Sequence, residues 1–213
     1  MSPVVEPTLD VERELHAGGA EWVIGCDEVG RGAIAGPVAV GVSAVLVDCL
    51  DAPDGLRDSK LLSEARREAL FPAAAQWCHR WAVGLADAEE VDQLGIVAAL
   101  GLAGRRALTE LHHLGVGVLR SVVLLDGAHD WLTPALGTPP PVRTRVKADR
   151  DCASVAAASV LAKVHRDRMM IAADVEHPGY AWASNKGYGS TAHYAGLAEL
   201  GPSPLHRVSW LRD

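Results

Sequence analysis

Residues 21–47 read "EWVIGCDEVGRGAIAGPVAVGVSAVLV". The run "EWVIGCD" (21–27) has the character of a short buried strand, and "GPVAVGVSAVLV" (36–47) that of a second. The glycine-rich "VGRGAIAG" between them is the turn. The first strand ends in two neighbouring carboxylates, Asp27 and Glu28, and the glycine-flanked Arg31 follows at once. Adjacent residues on a regular strand point to opposite faces, so both acids serve one site only if the strand breaks there. Gly30 and Gly32 make such a break feasible, and the longer Glu28 can reach round.

Outward from this stretch, "HRWAVGLA" (79–86) reads as a third strand, "SVVLLD" (121–126) as a fourth that stops at Gly127, and "VRTRVKAD" (142–149) alternates like a fifth. Between strands two and three a helix is expected from Ser63 as N-cap with Glu64 in its first turn. Residues 87–114 form a long helical pattern interrupted by glycines, and "CASVAAASVLAKVHRDRMM" (152–170) is a helix. Three early strands close in sequence predict an antiparallel meander, and later strands separated by helices predict parallel additions. The expected architecture is therefore an α/β mixed sheet flanked by helices, with a small helical C-terminal piece. Residues 1–20 are expected to be a loose lead-in with one helical turn, 21–170 the sheet domain, and 171–213 the extension.

The 213 residues suit one sizeable domain, and 49% hydrophobic content supplies its core. A formal charge of -7 argues against a non-specific DNA coater, but leaves room for clustered acids that hold metal ions and a local basic stripe that holds phosphates. Cys26, Cys49, Cys78 and Cys152 are scattered without a C-x-x-C pair, so reduced thiols are expected rather than a disulfide framework or a zinc site. The N-terminal stretch carries acids and prolines and no apolar h-region, and no run approaches the ~20 apolar residues of a membrane span. A soluble cytoplasmic protein is the expectation.

Three segments end in acid, at Asp27, Asp126 and Asp149, and Glu28 adds a fourth carboxylate. Each alone is more simply a cap or a solvated side chain. Together, after apolar or alternating runs whose ends gather in an α/β sheet, they suggest a site. Carboxylates that close raise one another's pKa values unless cations neutralise them, and Mg²⁺ is a natural oxygen-seeking partner. Asp151 competes with Asp149 but stands where a helix cap is expected, and Asp130 lies past a strand end in loop.

The basic candidates follow. Arg31 lies where backbone can approach a ligand closely, and Lys60 precedes a helix start. Ser159, Lys163 and Arg166 share one side of a helix, for which a solvated face is the simpler reading. From 143 to 168, Arg143, Arg145, Lys147, Arg150, Lys163, Arg166 and Arg168 outnumber the acids and make a positive stripe. Tyr188, between glycines in "NKGYGS" (185–190), is either a loop pin or a stacking platform for a sugar or base.

Together these segments resemble the ribonuclease HII family, the type 2 ribonucleases H. "CDEVGRGAIAGPV" is similar to its D-E-A-G-R-G opening, with Val29 for alanine. "DSKLLSEARRE" resembles D-S-K-x-L-S, and "VLLDG" the strand of the third acid. "VKADRDCASVAAASVLAKVHRD" resembles the K-G-D…S-I-A-A-A-S-I-L-A-K-V-x-R-D block, and "NKGYGSTAH" the N-K-G-Y-G-T-x-x-H segment. The order is kept from about residue 22 to 210. Ala148 replaces a glycine, "GIVAA" (95–99) replaces N-I-L-Q-A, and "HRVSW" (206–210) replaces H-R-R-S-F.

The resemblance implies a ribonuclease H-like fold and an endoribonuclease with metal-binding acids at Asp27, Glu28, Asp126 and Asp149, which decides for Asp149 over Asp151. It implies a 2′-OH-reading turn at Gly30, Arg31 and Gly32, a sugar-stacking Tyr188, and phosphate-side contacts from Lys60, Ser159 and Lys163. Two Mg²⁺ or Mn²⁺ ions are the expected cofactors. RNA/DNA hybrids and duplex DNA with embedded ribonucleotides are the expected partners, cut 5′ to the ribonucleotide to leave 3′-OH and 5′-phosphate. A monomer is expected, without docking to a sliding clamp through a C-terminal tail, since none follows Asp213. The rivals are another nuclease of the same fold, such as a Holliday-junction resolvase, and a non-catalytic nucleic-acid-binding module.

Overall fold

The structure is a computed structural model that describes residues 6–211. Residues 1–5 of the expected lead-in and 212–213 of the expected C-terminal piece lie outside the described residues. Along the chain run α1 (Asp10–Ala17), β1 (Trp22–Val29), β2 (Val38–Val45), α2 (Glu64–Trp77), β3 (Arg80–Ala86), α3 (Ala88–Leu94), α4 (Ile96–His113), β4 (Ser121–Asp126), β5 (Val142–Arg145), α5 (Ala148–Asp151), α6 (Ala153–Glu176), α7 (Trp182–Asn185) and α8 (Thr191–Leu200).

The strands form one sheet in the order β3-β2-β1-β4-β5. β1 pairs antiparallel with β2, and β2 with β3, while β4 joins β1 and β5 joins β4 in parallel. The expected meander with parallel additions is what forms. The β1–β4 register reaches Cys26 opposite Leu125, so the next residue on each strand is an acid, Asp27 on one and Asp126 on the other.

α4 packs on β2 and β3, and α6 covers β1 and β2. Their backbones come close because glycines face them. A Cβ on Gly84 would sit 2.0 Å from the Ala103 carbonyl oxygen of α4, and one on Gly25 would sit 2.3 Å from the Ser154 carbonyl carbon of α6. Val, Leu and Ala fill the core on both sides of the sheet.

Ser63 caps α2 by accepting from the Arg66 amide, as expected. The 87–114 pattern divides into α3 and α4 at Gly95 (φ 78°), with Asp87 and Glu90 closing a capping box on α3. Four local readings differ from what forms. β1 does not break at Asp27 but runs on to Val29. β5 stops at Arg145, and Lys147 takes a left-handed φ of 63° that turns the chain into α5, so Asp149 stands on a helical turn instead of a strand end. α1 is eight residues long and docked: its Glu12, fully buried, accepts from the Ser154 amide (2.8 Å) and hydroxyl (2.7 Å) at the N-terminus of α6. Asp151 does not cap that helix; its side chain pairs with Arg145 at 3.2 Å.

Candidate active site

Asp27 leaves β1 towards α6 and is buried to 1% exposure. Its Oδ1 accepts from the Glu28 amide at 2.9 Å. Ser159, on α6, is near enough to draw the carboxyl down, but its hydroxyl donates to Ser59 Oγ at 2.9 Å, and among the described residues Oδ2 of Asp27 has no hydrogen-bond partner. Burial pushes the Asp27 carboxyl up to about 8. The Ser159 hydroxyl and Lys60 ammonium oppose that rise, and the Glu28 and Asp126 carboxylates add to it.

Asp126 and Asp149 meet where β4 ends against α5. Oδ1 of Asp126 accepts from the Asp149 amide at 3.4 Å, and Oδ2 of Asp149 lies 3.4 Å from Lys60 Nζ. Burial, with Asp126 and Asp58 adding, lifts Asp149 to about 6. Lys60 stands on the short turn Ser59–Leu61, fixed by Asp58, whose side chain accepts from the Lys60 amide at 2.8 Å. Burial disfavours its charge, yet Asp27, Asp149 and Asp58 outweigh this and hold the ammonium pKa above its usual value. Glu28 turns to Arg31, with Oε1 3.4 Å from its Nη1.

Among the described residues, no three His, Cys, Asp or Glu side chains stand as a ready-made metal cage. The reason is local, since Glu28, Asp126 and Asp149 are each turned onto a nearby donor. The donor set nonetheless suits a hard divalent cation. It consists of carboxylate oxygens alone, and it leaves one buried oxygen of Asp27 unpartnered beside other acids with one ammonium among them.

Beside these acids lies a cleft of about 160 Å³ lined by Glu28, Gly30, Arg31, Gly32, Lys60, Lys163 and Tyr188 among others. It brings together most of the residues singled out from the sequence. Ser159 does not line it; that side chain is fully buried beneath. Gly30 has φ 83°, and a Cβ there would sit 2.1 Å from Arg166 Nε, so only glycine fits. Gly32 faces open space. Tyr188 is half-buried, with Lys163 Nζ 5.9 Å and Arg166 Cζ 5.5 Å from its ring centroid. Lys163 also pairs with Asp167 at 2.5 Å.

The positive stripe divides. Arg143, Arg145 and Lys147 are exposed near the β5 edge, whereas Arg168 pairs with Glu68 and Arg166 is fully buried. Arg166 donates to the carbonyls of Pro37 (2.8 Å), Lys186 (2.8 Å) and Ala35 (3.1 Å). Sequence reasoning placed it on a helix face and overlooked Arg207, which is equally buried. It also overlooked His193 and His206, whose Nε2 atoms lie 3.0 Å apart. His193 Nε2 also accepts from Trp182 Nε1 at 3.0 Å, and its Nδ1 lies 2.9 Å from the Tyr188 carbonyl. The terminal histidine of "NKGYGSTAH" was the available signal. Burial pushes His206 down to about 4, which suits a network of neutral rings.

A second cleft, of about 810 Å³, lies between the α3–α4 junction and residues 130–135 and holds none of the expected site residues. Asp130 borders it and accepts from the Leu132 (3.0 Å) and Thr133 (2.8 Å) amides, a turn-forming role.

A model of the family described as Ribonuclease HII matches residues 24–213. The ribonuclease HII of Streptomyces avermitilis is 48% identical over 209 residues, which are 98% of this chain and 85% of that one. The solved PCNA:RNase HII complex from Archaeoglobus fulgidus contains a chain that superposes with a TM-score of 0.65 at 26% identity, covering 90% of this chain and 96% of that one. Bst-RNase HIII in complex with Mn²⁺ gives a TM-score of 0.71 at 22% identity over 92% of this chain and 68% of that one, a likeness of fold.

Proposed function

The chain belongs to the ribonuclease HII family, and from that premise we propose that it hydrolyses the RNA strand of RNA/DNA hybrids and cuts 5′ to ribonucleotides embedded in duplex DNA. Membership makes it a metal-dependent ribonuclease H hydrolase, which sets aside the non-catalytic module. The observation that carries the substrate reading is that the acid cluster lies beside a cleft which Glu28 and an open glycine turn line together.

Asp27, Glu28, Asp126 and Asp149 would hold two divalent ions, Mg²⁺ or Mn²⁺. Such ions activate water and stabilise a leaving oxygen in phosphodiester hydrolysis. One water adds across the P–O3′ bond; the 3′-oxygen leaves and takes a proton, and the 5′-phosphate keeps the new oxygen. Lys60 and Lys163, which both line the cleft, meet the phosphates. Ser159 acts from below by holding Ser59, which lines the cleft. The backbone of Gly30, Arg31 and Gly32 reads the 2′-OH, the one group that separates RNA from DNA locally. Tyr188, with two cations near its ring, stacks on the following sugar.

The test is cleavage of a duplex with one ribonucleotide beside an all-DNA duplex, by wild type and Tyr188→Ala. A single cut 5′ to the ribonucleotide, weakened in Tyr188→Ala, is expected. Equal cleavage of both duplexes, as a resolvase-like nuclease gives, would overturn the reading.

A further inference from the structure

Two fully buried guanidiniums lie behind the glycine turn, and neither has a carboxylate within salt-bridge distance among the described residues. Arg207 donates to the carbonyls of Gly30 (2.8 Å), Arg31 (3.1 Å) and Gly36 (3.0 and 3.2 Å). Its own amide donates to the Ile34 carbonyl at 2.9 Å. Arg166 holds Ala35 and Pro37 of the same segment and Lys186 of the Tyr188 loop. The two loops are also joined directly, because the Ile34 and Ala35 amides donate to the Gly187 carbonyl at 2.9 and 3.1 Å.

The outer side of the turn is the opposite. Among the described residues, neither the Arg31 nor the Gly32 amide donates to a backbone acceptor, and a Cβ at Gly32 would meet nothing within 4 Å. A peptide plane whose carbonyl is drawn inward presents its N–H outward. Burying a charge whose partners are neutral carbonyls is costly, and fixing a backbone orientation is what this cost achieves.

We propose that Arg207 is a positioning residue for ribose recognition: it holds the Gly30 and Arg31 carbonyls inward so that the following amides, of Arg31 and Gly32, face the 2′-OH. Arg166 is its companion and sets the turn at a fixed distance from Tyr188. The inference rests on the function proposed above. It adds to that reading a residue outside the cleft that governs selectivity without touching substrate.

The test compares wild type with Arg207→Lys, which keeps the charge but has no fork to span three carbonyls. Two quantities are read in Mg²⁺: kcat/KM for a duplex with one ribonucleotide, and the inhibition constant of an all-DNA duplex as competitor. A misplaced turn predicts a fall of about 10- to 100-fold in kcat/KM. The inhibition constant should stay within about 2-fold, because the contacts shared by both duplexes persist. Unchanged kcat/KM in folded Arg207→Lys overturns the proposal. So does an equal loss on both quantities, which marks a merely structural residue. If Arg207→Lys does not fold, Trp210→Leu decides by the same criteria, since the Trp210 ring lies 5.1 Å from the guanidinium and its removal strands no charge. A wild type that does not cleave the ribonucleotide duplex overturns the proposed function, and this inference with it.

Discussion

Nζ of Lys60 lies 3.4 Å from Oδ2 of Asp149 on a segment 89 residues away in sequence. Asp27 and Asp58 also act on that ammonium, so three carboxylates bear on this one lysine. The Lys60 side chain is 66% exposed, so solvent and a phosphate can reach it.

Lys60→Met should therefore change the pH dependence of the reaction. The ammonium lowers the Asp149 and Asp27 pKa values, and its removal lets both rise. Loss of kcat/KM should be greater at pH 6 than at pH 8, measured on a duplex with one ribonucleotide. A loss that is constant with pH would separate Lys60 from the ionisation of the acids.

Stability should depend on pH and metal together. The Asp27 carboxyl rises from 3.8 to about 8 on folding, so within that window the folded chain holds a proton the unfolded chain has lost. Stability from this group is complete below about pH 4 and is lost as pH rises through about 8. In EDTA the melting temperature should fall from pH 6 to pH 9; Mg²⁺ should restore most of it at pH 9, and its binding should release protons at about pH 6–7, where the Asp27 carboxyl still holds one. A metal-free melting temperature that rises over this interval, with no effect of Mg²⁺, would contradict the assignment of Asp27.

The contact of α1 with α6 predicts a stability effect far from the cleft. Glu12→Ala removes the carboxylate that caps Ser154 and should cost about 1–2 kcal/mol in urea unfolding. Glu12→Gln keeps an acceptor and should retain most of that stability. Equal stability of Glu12→Ala and wild type would show that α1 merely rests on the domain.

The sheet was legible because its strands are apolar or alternating runs between glycine and proline punctuation, and their spacing separates the meander from the parallel additions. Local backbone choices were less so. Nothing in "VRTRVKAD" marks Lys147 for a left-handed conformation, which carries Asp149 off the strand and onto α5. Glu12 sits among charged residues that look solvated, and its partner, the Ser154 amide, is supplied by a helix 142 residues away in sequence. The site acids and the cleft glycines were legible as residue types at strand ends. Arg166 and Arg207 were not, because their acceptors are backbone carbonyls of residues 30–37 and 186, which no side-chain pattern encodes.

The measurement that bears most directly on the account is metal dependence with end-group analysis. Wild type and Asp126→Asn would each be given a duplex carrying one ribonucleotide, with Mg²⁺ and with EDTA. The account predicts one cut 5′ to the ribonucleotide, with 3′-OH and 5′-phosphate ends, only with Mg²⁺, and slower by about 100-fold or more in Asp126→Asn. Cleavage that persists in EDTA, or a wild-type rate in Asp126→Asn, would contradict it.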